Sequence, residues 1–340
     1  MSSRLDRKPQ IWTLAVDLGL SSTDPPTRSI LDFVSKRIRR IAKKFRCTNL
    51  RELLEATAGE VETVFEEVHS DDDLRRIQFK YVSKGETAFA NLENELRRPD
   101  DYAITIRRMH RETWERQFVS VIDHRGDKVF RSYFSKWHEL AHLLTLTPQM
   151  RLVFRRTHAP SAIQDPEEML MDVIASDVGF FRDFLPGDAN GDVSFGMIER
   201  IREECCPDAS RQAATIGIVK ALPQPSILIE ARMALRKSEA AQASQMALDI
   251  GAANPTPALR AVHVTVNAAA REAGLNLHRN WRVPEESVIS RVFQTGGYAE
   301  AEEDLGWWAT SSGSRLDGCP VTVKAKKTWD SVVALLIPRN

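Results

Sequence analysis

Long apolar runs are missing from this chain of 340 residues. The longest, Val332 to Ile337, falls far short of the ~20 residues that a membrane-spanning helix needs. Cysteine is scarce: Cys47, Cys205, Cys206 and Cys319 make up the four. Two are adjacent and none forms a CxxC pair, so neither a disulfide framework nor a Cys-type zinc site is indicated. Excess charge of one sign is also missing, since 47 Lys and Arg balance 47 Asp and Glu. That balance excludes a polybasic or a strongly acidic disordered protein, although a local basic stripe can sit on a neutral chain. The charged opening MSSRLDRKPQIW is unlike a secretory signal. A cytoplasmic, reducing address is expected, with no membrane partner.

The patterns that are present indicate an α+β protein. Residues 1–25 read as an N-terminal arm. Ile30, Val34, Ile38, Ile41 and Phe45 recur at helical spacing, and the opposite face carries Lys36, Arg37, Arg39, Arg40, Lys43, Lys44 and Arg46. A helix over Leu50–Ala58 has Asn49 as its N-cap, and the Asp71-Asp72-Asp73 run opens another. The period then becomes two over Tyr102–Ile106 and Phe118–Ile122. His124-Arg125-Gly126-Asp127 reads as a hairpin turn into a strand at Lys128-Val129-Phe130. Helical spacing returns at Ser135, an expected N-cap, and Asp165-Pro166 opens a further helix. Two short helices broken at Pro207-Asp208 follow. Residues 239–257, rich in Ala, Ser, Gln and Pro, read as a linker. A helix over Ala258–Gly274, a short helix near Pro284, and strands at Val321–Lys324 and Val332–Ile337 complete a small α/β domain.

His138-Glu139-Leu140-Ala141-His142 is an HExxH sequence. On a helix, positions i and i+4 share one face, so both imidazoles reach one metal ion. The intervening Glu139 is placed to take a proton from water that a bound zinc ion has acidified. A catalytic zinc has three protein ligands. The helix opened by Pro166 offers Glu167, Glu168 and Asp172 for the third. Glu168 and Asp172, at i and i+4, suit one ligand and one carboxylate that orients a ligand histidine. Glu168 also stands where a capping-box residue would stand, three positions after Asp165.

The stretch Phe134-Ser135-Lys136-Trp137-His138-Glu139-Leu140-Ala141-His142-Leu143, with Glu168-x-x-x-Asp172-x-Ile174-Ala175 downstream, resembles the ImmA/IrrE zinc metallopeptidases. Ala141 replaces that family's Gly, Met171 its Ala and Ile174 its Phe. All three are small or apolar swaps that bear on packing. The resemblance implies His138, His142 and Glu168 as ligands of one Zn2+, Glu139 as the catalytic base and Asp172 beside the ligands. It implies four segments: an arm (1–25), a zincin-like metallopeptidase domain (26–193), a helix-turn-helix-like connector (194–238) and a GAF-like α/β sensor domain (239–340). The implied activity is cleavage of a partner helix-turn-helix repressor, which derepresses a DNA-damage or defence operon. Residues 122–168 are most similar to the CapP-like peptidases of bacterial anti-phage (CBASS) operons, for which single-stranded DNA is the implied activator.

Candidate DNA contacts are Lys36, Arg37, Arg40, Lys43 and Lys44 on the early helix and Arg155 and Arg156 after the HExxH helix. Solvated helix faces have the same composition. A thiolate from Cys205, Cys206 or Cys319 would be able to fill a zinc ion's open position and hold it inactive. The alternative to a peptidase is a non-catalytic regulator, responsive to DNA or a ligand, whose zinc site is structural.

Overall fold

The computed structural model describes residues 2–20, 23–98, 101–147, 150, 165–186, 193–236, 239, 256–309 and 315–339. The chain divides into two compact units, one of residues 1–185 with 201–217 and the other of 186–200 with 218–340. No helix among the described residues is long and apolar enough to cross a membrane.

The first unit begins with α1 (Ser2–Leu5) and α2 (Pro9–Asp17), so the expected arm is helical. It buries Leu5, Ile11, Leu14 and Ala15. Next come α3 (Pro26–Phe45), α4 (Leu50–Glu60), β1 (Thr63–Val68), α5 (Asp71–Val82) and α6 (Leu92–Glu95). The Asn49 side chain caps α4 by accepting from Glu52 N, and Ser70 caps α5 by accepting from Asp73 N. Then β2 (Ala103–Arg107), β3 (Phe118–Asp123), α7 (Ser132–Leu144) and α8 (Pro166–Val178) follow.

The sheet runs β1-β3-β2, with β3 parallel to β1 and antiparallel to β2. Ile104, Ile106, Val119 and Val121 join Leu74, Ile77 and Tyr81 of α5 in one apolar cluster. Side chains alternate along strands, so the other face carries Thr105 and Ser120, whose buried hydroxyls lie 2.6 Å apart. Helix α7 packs on β2 and β3, away from the α5 cluster.

Two expectations fail around α7. The segment expected as a strand at Lys128–Phe130 is a 3-10 turn, Gly126–Arg131. The buried Asp123 carboxylate pulls it inward: it accepts from Arg125 and from Lys128 Nζ at 2.8 Å, and Lys128 Nζ also donates to the Asp101 carbonyl. Helix α7 starts at Ser132, not at a Ser135 cap, because this turn runs straight into it and its Val129 carbonyl accepts from Ser132 N. Ser135 is buried inside the helix.

Helices α7 and α8 pack along Trp137, Leu140, Ala141 and Leu144 against Leu170, Met171, Ile174 and Ala175, all 2% exposed or less. The Tyr133 hydroxyl donates to the Gly179 carbonyl at 2.5 Å. Helices α9 (Phe195–Cys205) and α10 (Arg211–Ala221) flank the expected break at Pro207-Asp208. Gly217 of α10 lies against Phe180, and a Cβ there would meet the ring at 2.0 Å. Gly217→Ala is therefore expected to destabilise the first unit by about 1–3 kcal/mol. A lowered melting temperature by calorimetry checks this, and a melt equal to wild type would show that the ring yields freely.

The second unit is a five-stranded antiparallel sheet built from β4 (Ile227–Ala234), β5 (Ala258–Val266), β6 (Tyr298–Asp304), β7 (Pro320–Lys327) and β8 (Ser331–Pro338), in the order β5-β4-β8-β7-β6. Strand β4 belongs to this sheet, so the α/β region starts ahead of residue 239, the expected boundary. The helix expected over Ala258–Gly274 is mostly β5. Val262, Val264 and Val266 alternate there, and β-branched side chains fit a pleated surface. Only α11 (Ala268–Glu272) is helical, and Asn267 caps it. Helix α12 (Val288–Thr295) lays Val288, Ile289 and Val292 on the sheet with Trp308. The buried Glu303 carboxylate of β6 accepts from Val288 N at 2.6 Å and anchors the start of that helix. The linker expected at 239–257 lies almost wholly outside the described residues.

Candidate metal centre

Helix α7 presents His138 and His142 one turn apart, and α8 brings Glu168 to them. His138 Nε2 is 3.1 Å from Glu168 Oε2, and His142 Nε2 is 3.5 Å from Glu168 Oε1. The two Nε2 atoms are 3.3 Å apart. Glu168 is not a capping residue: Asp165 caps α8 through Glu167 N at 2.9 Å. This leaves the Glu168 carboxylate free to reach α7.

Two imidazoles and a carboxylate are a zinc-type donor set. The spacing suits the ion as well. Bonds of ~2.0–2.1 Å at tetrahedral angles place neighbouring donors ~3.3 Å apart; the two Nε2 atoms are 3.3 Å apart, and each faces a different oxygen of Glu168, at 3.1 Å (Oε2) and 3.5 Å (Oε1). No further His, Cys, Asp or Glu donor joins this group among the described residues.

Asp172, one turn beyond Glu168, lies 3.0 Å from His138 Nδ1. An Nδ1–H donated to that carboxylate leaves the Nε2 lone pair directed at the triangle. Burial alone would lower the His138 pKa, but the bonds to Asp172 and Glu168 outweigh it and raise it. Glu168 moves the other way: burial would raise it, and the bonds to His138 and His142 hold it far below the usual carboxylate range. Both directions favour positive charge beside the Glu168 carboxylate.

Glu139, beside the ligands in sequence, is 3% exposed, and its Oε2 has no hydrogen-bond partner among the described residues. Buried carboxylate oxygens are usually paired, so this one is available to a group other than the described side chains.

The remaining candidate residues divide. Arg37 Nη1 donates to the Leu144 carbonyl at 2.7 Å, which satisfies the C-terminal end of α7. Lys44 pairs with Glu60 at 2.7 Å. Lys36, Arg40 and Lys43 are exposed on α3. Arg155 and Arg156 lie outside the described residues. Neither Cys205 nor Cys206 belongs to the group of metal donors, and Cys319 lies in the second unit. Burial pushes the Cys206 thiol up to about 12. Cys206 is accordingly expected to resist alkylation of the native chain at pH 8 and to react after denaturation, as read by mass spectrometry. Labelling at the same rate in both states would contradict its burial.

Sequence reasoning missed a second group, Glu67, His69 and His124. These residues are scattered along the chain, and His124 was assigned to a turn. Only the parallel pairing of β1 with β3 brings them together.

No protein-family model matches the chain, and no curated protein sequence matches it. Among solved structures, a Mycobacterium tuberculosis transcriptional regulator is similar over 91% of this chain and 80% of its own, at 11% identity and a TM-score of 0.40. A likeness at that level carries no argument about activity.

Proposed function

We propose that this protein is a zinc-dependent endopeptidase of zincin-like build. It cleaves a partner helix-turn-helix repressor and so derepresses a defence or DNA-damage operon. The observation that carries this reading is the His138, His142 and Glu168 group beside a buried Glu139 carboxylate, one oxygen of which has no partner among the described residues. A structural zinc takes four protein ligands and has no use for a base. Three donors and an adjacent carboxylate suit hydrolysis.

Zinc, when bound, supplies Lewis acidity: it lowers the pKa of water to ~7 and polarises a carbonyl. The chain's own groups do the rest. Glu139 takes the proton from the attacking water and passes it to the leaving amine nitrogen. Asp172 holds His138 in one tautomer. Edge strand β2 lies against α7. In this reading the GAF-like second unit receives the signal, and single-stranded DNA is the activator, met by Lys36, Arg40 and Lys43 and by Arg155 and Arg156.

The test mixes the zinc-loaded full chain with the helix-turn-helix repressor encoded beside it, with and without single-stranded DNA. Cleavage that is stimulated by DNA and abolished by a chelator is the expected result. Cleavage indifferent to DNA would keep the peptidase and remove the trigger. An intact repressor whose DNA affinity nevertheless changes would favour a regulator that acts by binding.

A further inference from the structure

A second group of donors gathers at the C-terminal ends of β1 and β3. The parallel register sets Glu67 opposite Ile122 and Val68 opposite Asp123, and His124 N donates to the Val68 carbonyl at 2.8 Å. His69, just past β1, places Nε2 3.3 Å from Glu67 Oε2. His124 Nε2 stands 4.0 Å from Glu67 Oε1. One donor atom from each of the three residues lies within 4.8 Å of the other two, and the two rings meet edge-on with centroids 4.7 Å apart.

His124 gives this cluster its meaning. Its side chain is 9% exposed, and its Nε2 is buried with no hydrogen-bond partner among the described residues. Buried polar atoms are nearly always satisfied, and at 4.0 Å the Glu67 oxygen does not satisfy this one. Burial also lowers the His124 pKa, which favours the neutral ring that ligates metals.

We infer that Glu67, His69 and His124 form a second divalent-cation site, separate from the HExxH centre and of the zinc class. Imidazole and carboxylate donors suit Zn2+ or its Ni2+ and Cu2+ neighbours better than Mg2+ or Ca2+, which prefer all-oxygen ligation. The Glu67 carboxylate serves two cations. Oε2 faces His69 and the ion, while Oε1 holds Lys136 Nζ at 2.6 Å. Lys136 belongs to α7, two residues before His138. An ion here therefore ties the end of β1 to the helix that carries the first centre. The nearby ammonium and the wider spacing make this site the weaker of the two.

The experiment titrates the metal-stripped, untagged full chain with zinc and counts bound zinc by elemental analysis after gel filtration. Wild type is expected to hold two zinc ions per chain. His142→Ala is expected to hold one, His69→Ala one, and the double variant none. His69 is exposed, so its removal spares the fold. His124→Asn supplies an independent variant, accepted only with a wild-type circular dichroism spectrum. A single zinc in saturated wild type that is lost in His142→Ala and kept in His69→Ala overturns the proposal. So does a second zinc that survives both His69→Ala and His124→Asn. A zinc lost in His69→Ala but unaffected by His142→Ala would sustain this site and refute the HExxH centre, so the two readings fail separately.

Discussion

Glu139→Gln is expected to keep its zinc and lose repressor cleavage by ~10²–10⁴-fold, the usual range for removing a general base. Gln has the same shape as Glu and fits the same buried position. It cannot take a proton from water at neutral pH. The structure separates this effect from a structural one. Glu139 is 3% exposed and its Oε2 has no hydrogen-bond partner among the described residues, so the amide loses no hydrogen bond of that oxygen to them. Substitution with the neutral amide is expected to leave the melting temperature unchanged or to raise it, a common exchange of activity for stability at a working site. Metal content, melting temperature and cleavage rate, measured on one preparation, form the check. Wild-type cleavage in Glu139→Gln would remove Glu139 as the base. Parallel loss of zinc and of stability would make it a structural residue.

The elements that were legible in the sequence were those whose local signals agree with their packing. Asn49, the acidic run at Asp71 and the Asp165-Pro166 pair mark helix starts that the structure contains. The HExxH spacing is a property of one helix, so both histidines could be placed together before any fold was known. Glu168 was harder. Spacing alone left it between a cap and a ligand, and only the approach of α8 to α7 directs it to His138 and His142. Strands β1 and β4 carry no clear period of two, because glutamates interrupt their apolar alternation. The alanines of β5 give it the composition of a helix and hide the alternating valines. The turn after β3 is decided by Asp123, a buried carboxylate whose partners Arg125 and Lys128 no periodicity reveals. The Glu67, His69 and His124 group depends entirely on parallel strand pairing, a non-local event with no spacing to find.

Removing Glu168 should affect the metal centre more than removing Asp172, and the order of the two losses tests the assignment of roles. Asp172 meets the far side of His138, at 3.0 Å from Nδ1, and its side chain is 59% exposed. Partners of this kind typically contribute ~10–100-fold to metal affinity, so Asp172→Ala is expected to weaken zinc binding within that range. Glu168 faces both Nε2 atoms, and its carboxylate is the one negative group within the donor triangle. Glu168→Gln preserves its size but removes that charge, which has to offset a divalent ion in a half-buried site where water screens poorly. The expected loss therefore exceeds that of Asp172→Ala, with cleavage falling in step because the zinc itself is gone. Competition against a chromophoric chelator gives both affinities on one scale, with His69→Ala present in each chain to silence the second group. If Glu168→Gln holds zinc as tightly as wild type, Glu168 is not a ligand. If Asp172→Ala loses the more, Asp172 is itself bound to the metal, and His138 must then turn its other nitrogen to the site.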